Sequence, residues 1–445
     1  MSYAAAIDQL NAMAPELYTR PGQPRRKFSL DEVRTLLAAL GDPHHSFRSV
    51  LIAGTNGKGS TAATLASILT ASGLRAGLYT SPHLERVNER IRIGNVEISD
   101  DDFARLYFRV HDVAQQLMQQ GRLPQMPSFF EILTALAFLY FAESSIGLAV
   151  LEVGMGGRLD ATNVVSPLLS IITDISLDHT EWLGTTIAAI AREKAGILRQ
   201  GGTLITLLQL PEANQVLNEA AAALGVRGID ASPFLPPAGA TGPYLIHALG
   251  SFVKVHSPLT GAHQQRNIAL AITAAVELSR EHSFPITPHH IAEGIRNTEW
   301  PGRLEYIKRG GLIWVLDVAH NPAGAWALYS GLMNFLSKKH PRCLVFGCLR
   351  DKPLAEMAQI LFPLFEQVIF APIHSARAAS IEDLEAAARA TGIPSLSAAS
   401  VQEALKWAAK RVQGGVVVVS GSVYLVGEAR SLLLAEGAEF GGRTA

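Results

Sequence analysis

The sequence predicts an α/β protein of two domains, each a mostly parallel sheet covered by helices. Short apolar runs alternate with helical stretches along most of the chain, the signature of a parallel sheet wrapped on both faces. A second such series begins after Trp300-Pro301-Gly302-Arg303, where proline and glycine punctuate the chain as they do at domain boundaries. A length of 445 residues with 48% hydrophobic content suits two cores better than one.

Ser29 and Glu32 have capping-box spacing and predict a helix to about Leu40. Gly41-Asp42-Pro43 should stop it, since glycine accepts the left-handed terminal conformation and proline cannot continue the ladder. Strands are expected at Val50 to Ala53, Ala76 to Tyr79, Leu148 to Val153 and Leu169 to Thr173, with a helix from Ser60 to Ser72. In the second series, strands are expected at Leu312 to Leu316, Cys343 to Gly347, Gln367 to Ala371 and Val416 to Ser420. The boundary is placed near Glu299, giving domains 1–298 and 299–445, and the end from Gly437 to Ala445 is expected to fray.

Lys and Arg total 38 against 39 Asp and Glu, so no general field attracts nucleic acid or an acidic membrane surface. No run approaches the roughly 20 apolar residues of a membrane span. The expectation is a cytoplasmic monomer without nucleic-acid or membrane partners. Cys343 and Cys348 lack a second Cys/His pair that would complete a zinc site and read as reduced packing residues.

A buried strand, a glycine-rich turn and a helix aim backbone N–H groups at a phosphate. Gly54-Thr55-Asn56-Gly57-Lys58-Gly59-Ser60, followed by Thr61, is such a turn, and Lys58 adds a full charge; the first domain is therefore expected to be a P-loop-type ATPase domain. The spacing departs from Gly-x4-Gly-Lys-[Ser/Thr], because position 52 is Ile and Gly59 follows the lysine. A metal role for Ser60 or Thr61 stays open. Glu152 closes a strand at the sheet edge beside this loop, either as a magnesium ligand or as a carboxylate capping the turn Gly154 to Gly157. His179 follows another strand and reaches the same edge or is a satisfied loop histidine. Lys194, taken alone, reads as a surface lysine near a helix end.

In order along the chain, these motifs resemble those of the folylpolyglutamate synthase and dihydrofolate synthase family, a branch of the Mur-type ligases. The resemblance rests on the phosphate loop with its extra glycine, Thr80-Ser81-Pro82-His83-Leu84, Asn88-Glu89-Arg90, Leu151-Glu152-Val153-Gly154, Leu177-Asp178-His179-Thr180 and Glu193-Lys194-Ala195-Gly196-Ile197. It continues through Gln265-Arg266-Asn267, Trp300 to Glu305 and Asp317-Val318-Ala319-His320-Asn321-Pro322, the last two motifs belonging to a smaller, Rossmann-like second domain. The resemblance implies ATP contacts from Gly54 through Thr61 and from Asn267, Arg303 and Asp317. It implies magnesium ligation by Ser81, Glu152, His179 and a carbamylated Lys194; CO₂ adds to a neutral amine and turns a repelling cation into a carboxylate ligand. Phe129-Phe130-Glu131 and Arg158-Leu159-Asp160-Ala161 resemble pterin-side elements, with Phe130, Leu159, Asp160 and Ala161 as the candidates; one of the two phenylalanines is expected to belong simply to the apolar helix. Lys27-Phe28-Ser29 is a further candidate, and the basic group Arg20, Arg25, Arg26 and Lys27 is either an anion contact or a solvated surface.

The implied activity is an ATP- and Mg²⁺-dependent ligation of L-glutamate to dihydropteroate and to the γ-carboxyl of folates, serving folate biosynthesis and polyglutamylation. A carboxylate activated as an acyl phosphate acquires a leaving group, and the glutamate amine then attacks. Lys58, Lys194 and His320 are the catalytic candidates. A monofunctional folylpolyglutamate synthase, a cell-wall Mur ligase, a nucleotide-binding switch and a P-loop kinase remain as alternatives.

Overall fold

The computed structural model describes residues 2–13, 29–237, 240, 242–336 and 341–435. Lys27, Phe28, the basic group from Arg20 to Lys27 and the segment from Gly437 onward lie outside them. The chain forms two compact units, one comprising 1–82, 88–258 and 266–298, the other 83–87, 259–265 and 299–445.

The first unit holds strands β1 (Arg48–Ala53), β2 (Ala76–Tyr79), β3 (Ile91–Ile93), β4 (Val96–Glu97), β5 (Leu148–Glu152), β6 (Leu169–Ile172), β7 (Thr203–Thr206) and β8 (Arg227–Asp230). They form one sheet in the order β4-β3-β2-β5-β1-β6-β7-β8. Pairing is parallel from β2 through β8, and β3 and β4 add an antiparallel edge. Val50, Leu51, Ile52 and Ala53 are all fully buried, as expected of a central strand covered on both faces. β1 lies between β5 and β6, so its C-terminal loop emerges where the chain's crossovers diverge, the usual ligand crevice of an open α/β sheet. A hairpin of β9 (Tyr244–Ala248) and β10 (Ser251–Val255) packs Tyr244, Ile246, Val253 and Val255 into the same core.

The helix after β1 spans Lys58–Ala71 and buries ten residues. The helix Phe129–Glu143 is buried nearly all round and starts with a capping box in which Ser128 and Glu131 satisfy each other's backbone N–H groups. The expected helix after Ser29 runs Leu30–Ala39, but the Ser29 hydroxyl accepts from Asp31 N–H rather than closing a box with Glu32.

The second unit contains β11 (Glu305–Arg309), β12 (Leu312–Leu316), β13 (Arg342–Phe346), β14 (Gln367–Phe370), β15 (Ser395–Ser397) and β16 (Val416–Ser420). Their order is β11-β12-β16-β13-β14-β15, parallel except for β11. The sequence reading began this series at Leu312 and missed β11, whose half-exposed edge position gives it no continuous apolar run. Cys343 and Cys348 are buried, and burial pushes both thiols up to about 12, as suits packing residues. No helix among the described residues is long and apolar enough to cross a membrane.

Candidate active site

The turn after β1 is built by glycine geometry and anchored by its neighbour after β6. Gly57 has φ of 91°, and a Cβ there would stand 2.2 Å from Asn267 Oδ1; only glycine lets the loop lie against that buried amide. Thr55 N–H donates to Asp174 O (2.8 Å), and the Thr55 hydroxyl donates to Ser176 O (3.0 Å) while accepting from Ser176 N–H (3.1 Å). Asp174 is in turn gripped by Arg266 through a two-nitrogen contact at 2.6–3.0 Å. Sequence reasoning named Arg266 only as part of a motif; its role as the clamp on Asp174 appears once the chain is folded. Gly59, Ser60 and Thr61 are buried in the first turn of the following helix, and the Thr61 hydroxyl has no hydrogen-bond partner.

Two amines meet on this loop. Lys58 Nζ folds back to donate to Gly54 O (3.2 Å) and Thr55 O (3.1 Å), while Lys194 Nζ donates to Gly54 O at 2.7 Å. Lys194 is not the surface lysine its helix position suggested: it is 3% exposed. Burial, reinforced by the Lys58 charge, lowers its pKa from the ordinary 10.5 to about 7, because both effects oppose a second cation. Lys58 thus supplies the positive charge suited to phosphate oxygens, while the buried Lys194 amine readily gives up its proton beside it.

Glu152 ends β5 opposite Ile52 of β1, placing its carboxylate level with the start of the loop. It is buried and accepts Ser81 N–H at 3.0 Å. The structure thus brings Ser81 and Glu152 together. His179 sits at φ 49° immediately before the short helix Thr180–Leu183, with its N–H bonded to Asp178 Oδ1 at 2.8 Å. A carboxylate and a hydroxyl are hard donors that fit magnesium; the amine of Lys194 fits only after losing its proton and gaining an acidic group.

Asp160 is buried and accepts from Met155 N–H and Thr162 N–H, both at 3.0 Å. Burial raises its pKa despite these bonds. It ties the glycine turn after β5 to the helical turn Ala161–Val164. Together with Glu131, Met155, Leu159, Ala161 and Trp182 it lines a cavity of about 120 Å³. Trp182 was missed in the sequence, although it stands three residues beyond His179. Phe130 is 4% exposed and packs on Tyr79 and Gly154; Phe129 is the more accessible of the pair, with Arg90 over its ring at 5.1 Å.

In the second unit Asp317 follows β12, which is the second strand there, not the first. Its carboxylate accepts Leu304 N–H and Ala319 N–H, both at 2.9 Å, so it shapes the turn carrying Arg303. Burial raises the Asp317 pKa, against the opposing pull of Arg303 and His263. Arg303 donates to Gly302 O at 3.1 Å, and His320 Nδ1 contacts Val318 O at 2.9 Å.

Residues 52–275 match the Mur ligase middle domain and residues 302–423 the Mur ligase glutamate ligase domain. The chain is 36% identical to the folylpolyglutamate synthase of Lacticaseibacillus casei over 446 residues, covering 98% of this chain and 99% of that protein. This chain belongs to the folylpolyglutamate synthase family of Mur-type ligases. It is 34% identical to the dihydrofolate synthase/folylpolyglutamate synthase of Bacillus subtilis (strain 168), across 92% of this chain and 95% of that one. The crystal structure of Mycobacterium tuberculosis folylpolyglutamate synthase complexed with ADP and AMPPCP superposes with a TM-score of 0.87 at 31% identity, covering 98% and 99% of the two chains. Folylpolyglutamate synthases are ATP-dependent ligases that normally use Mg²⁺, and both α/β units of this chain follow that fold. The cell-wall, switch and kinase readings give way to this family.

Proposed function

We propose that the chain ligates L-glutamate both to dihydropteroate and to the γ-carboxyl of tetrahydrofolates, forming ADP through an acyl phosphate. The observation that carries the reading is the meeting of Lys58 and Lys194 on Gly54 O, level with the buried Glu152. Lys58 and the loop N–H groups hold the nucleotide phosphates, and Asn267 shapes the floor beneath Gly57. Positive charge here stabilises the transferring phosphoryl group, whose charge is spread over its equatorial oxygens. Ser81, Glu152, His179 and a carbamylated Lys194 are the residues for magnesium, which when bound neutralises phosphate charge. Arg303, Asp317 and His320 serve nucleotide and glutamate in the second unit. The reading is of a monomer.

Support for the dihydropteroate reaction comes from Asp160 at the wall of the cavity with Leu159 and Ala161. A buried carboxylate beside Leu159, Ala161 and the Trp182 ring, in a lining that mixes polar and apolar groups, suits a flat heterocycle bearing N–H donors. Parallel assays of glutamate incorporation with dihydropteroate and with tetrahydrofolate test this: turnover of both is expected, whereas turnover of tetrahydrofolate alone assigns the monofunctional alternative.

A further inference from the structure

The first unit carries a second cluster of ligating groups that the ligase chemistry does not use. Asp42, His44 and His45 each place one side-chain ligand atom within 4.8 Å of the others, the one such trio of His, Cys, Asp or Glu among the described residues. The cluster occupies the turn between the helix Leu30–Ala39 and β1. The phosphate loop follows the opposite end of that six-residue strand, about 20 Å away along its length.

Each member has a side chain available for a ligand. Asp42 precedes the short helical turn Pro43–His45, yet its carboxylate makes no cap hydrogen bond there. Its backbone is left-handed at φ 51°, a conformation that aspartate and asparagine tolerate, and Asp42 N–H is tied to Leu37 O at 2.8 Å. His44 is 7% exposed, and its Nδ1 is buried without a hydrogen-bond partner, an arrangement that is costly for a ring nitrogen unless something binds it. The ring is held between His45, with centroids 4.0 Å apart, and Phe138 of the helix Phe129–Glu143, at 6.3 Å. His45 is exposed.

We propose that Asp42, His44 and His45 bind a transition-metal dication of the Zn²⁺ class, with His44 Nδ1 as the buried ligand and water completing the shell. Two imidazoles and one carboxylate favour zinc, nickel or cobalt over magnesium, which prefers an all-oxygen shell. Bonds of about 2.0–2.1 Å hold tetrahedral ligands roughly 3.4 Å apart, so the exposed His45 and the half-buried Asp42 close in while His44 stays packed. The bound ion would clip the end of one helix to the start of β1 and, through Phe138, to a second helix. Its role is structural, on the face of the sheet's N-terminal end.

The full chain, stripped with chelator and then saturated with Mg²⁺ and ADP to occupy the nucleotide site, is titrated with Zn²⁺ by calorimetry. His45→Ala changes an exposed ring, and Asp42→Asn keeps a residue that accepts the left-handed backbone, so both are expected to fold and to ligate glutamate normally without zinc. Loss of even an outer-shell partner costs about 10–100-fold in metal affinity. One equivalent of Zn²⁺ is expected to bind the unsubstituted chain, with affinity lower by roughly tenfold or more in each variant, and to raise the unfolding midpoint of the unsubstituted chain more than that of either variant. Uptake equal in all three proteins, or no saturable uptake in the unsubstituted chain, overturns the proposal.

Discussion

Lys194→Met removes the buried amine from beside the phosphate loop and is expected to stabilise the folded chain while abolishing ligation. A depression of the Lys194 pKa from 10.5 to about 7 costs roughly 4 kcal/mol of folding stability at pH 7. Methionine replaces the stem with a similar apolar volume but loses the 2.7 Å bond to Gly54 O, which for the neutral amine is an ordinary hydrogen bond of about 1 kcal/mol. The net expectation at pH 7 is a gain of about 3 kcal/mol. The sign with pH follows from proton linkage. Across the window from about 7 to 10.5 the unfolded chain holds a proton that the folded chain has released, so the parent's stability rises with pH there. The cost is fully present below that window and vanishes above it. The advantage of the variant should therefore shrink by about 1.4 kcal/mol per pH unit in mid-window and fall to nearly zero by about pH 10. Urea unfolding of both proteins in CO₂-free buffer at several pH values reads the difference, because groups not coupled to Lys194 cancel. A gap that does not change with pH, or that widens as pH rises, refutes the reasoning.

Gly57→Ala forces a side chain into Asn267 Oδ1 at a left-handed backbone position, a strain of about 1–2 kcal/mol that the loop relieves by shifting its phosphate-facing N–H groups; ADP affinity should fall roughly tenfold, which equilibrium nucleotide titration checks. Glu152→Gln keeps an acceptor for Ser81 N–H but removes a charge, so the fold should persist while the Mg²⁺ needed for half-maximal activity rises about tenfold. Asp160→Ala leaves the Met155 and Thr162 N–H groups unpaired, at about 1–3 kcal/mol each. Its unfolding midpoint should fall, and turnover of dihydropteroate should drop more than turnover of tetrahydrofolate.

Strands buried on both faces were the most legible part of the chain: Ala76–Tyr79, Leu312–Leu316 and Val416–Ser420 stand in the structure with the bounds the sequence suggested. Continuous apolar runs bounded by turn residues leave little else for such segments to do. The strands at or beside the sheet edges were not legible, because β3, β4, β8 and β11 are short, partly exposed and carry charge or glycine, as edges that resist mispairing tend to do. The phosphate loop announced itself through glycine and lysine spacing. Lys194 did not, since a lysine near a helix end looks the same whether it faces solvent or a loop 140 residues away in sequence. Arg266 and Trp182 were hidden for the same reason, as their partners are set by the fold. Asp42 was read only as part of a helix stop, and its relation to His44 and His45 depends on a left-handed backbone that sequence spacing does not reveal.

The central claim is that this chain couples ATP cleavage to glutamate addition on a folate. The most direct measurement follows ADP release and product mass together, with tetrahydrofolate, L-glutamate, ATP and Mg²⁺, for the parent chain and for Lys58→Ala. The account predicts ADP formation that requires both folate and glutamate, a product heavier by one glutamyl residue, and loss of both signals in the variant. ADP release that is indifferent to folate and glutamate, or turnover retained in Lys58→Ala, contradicts it.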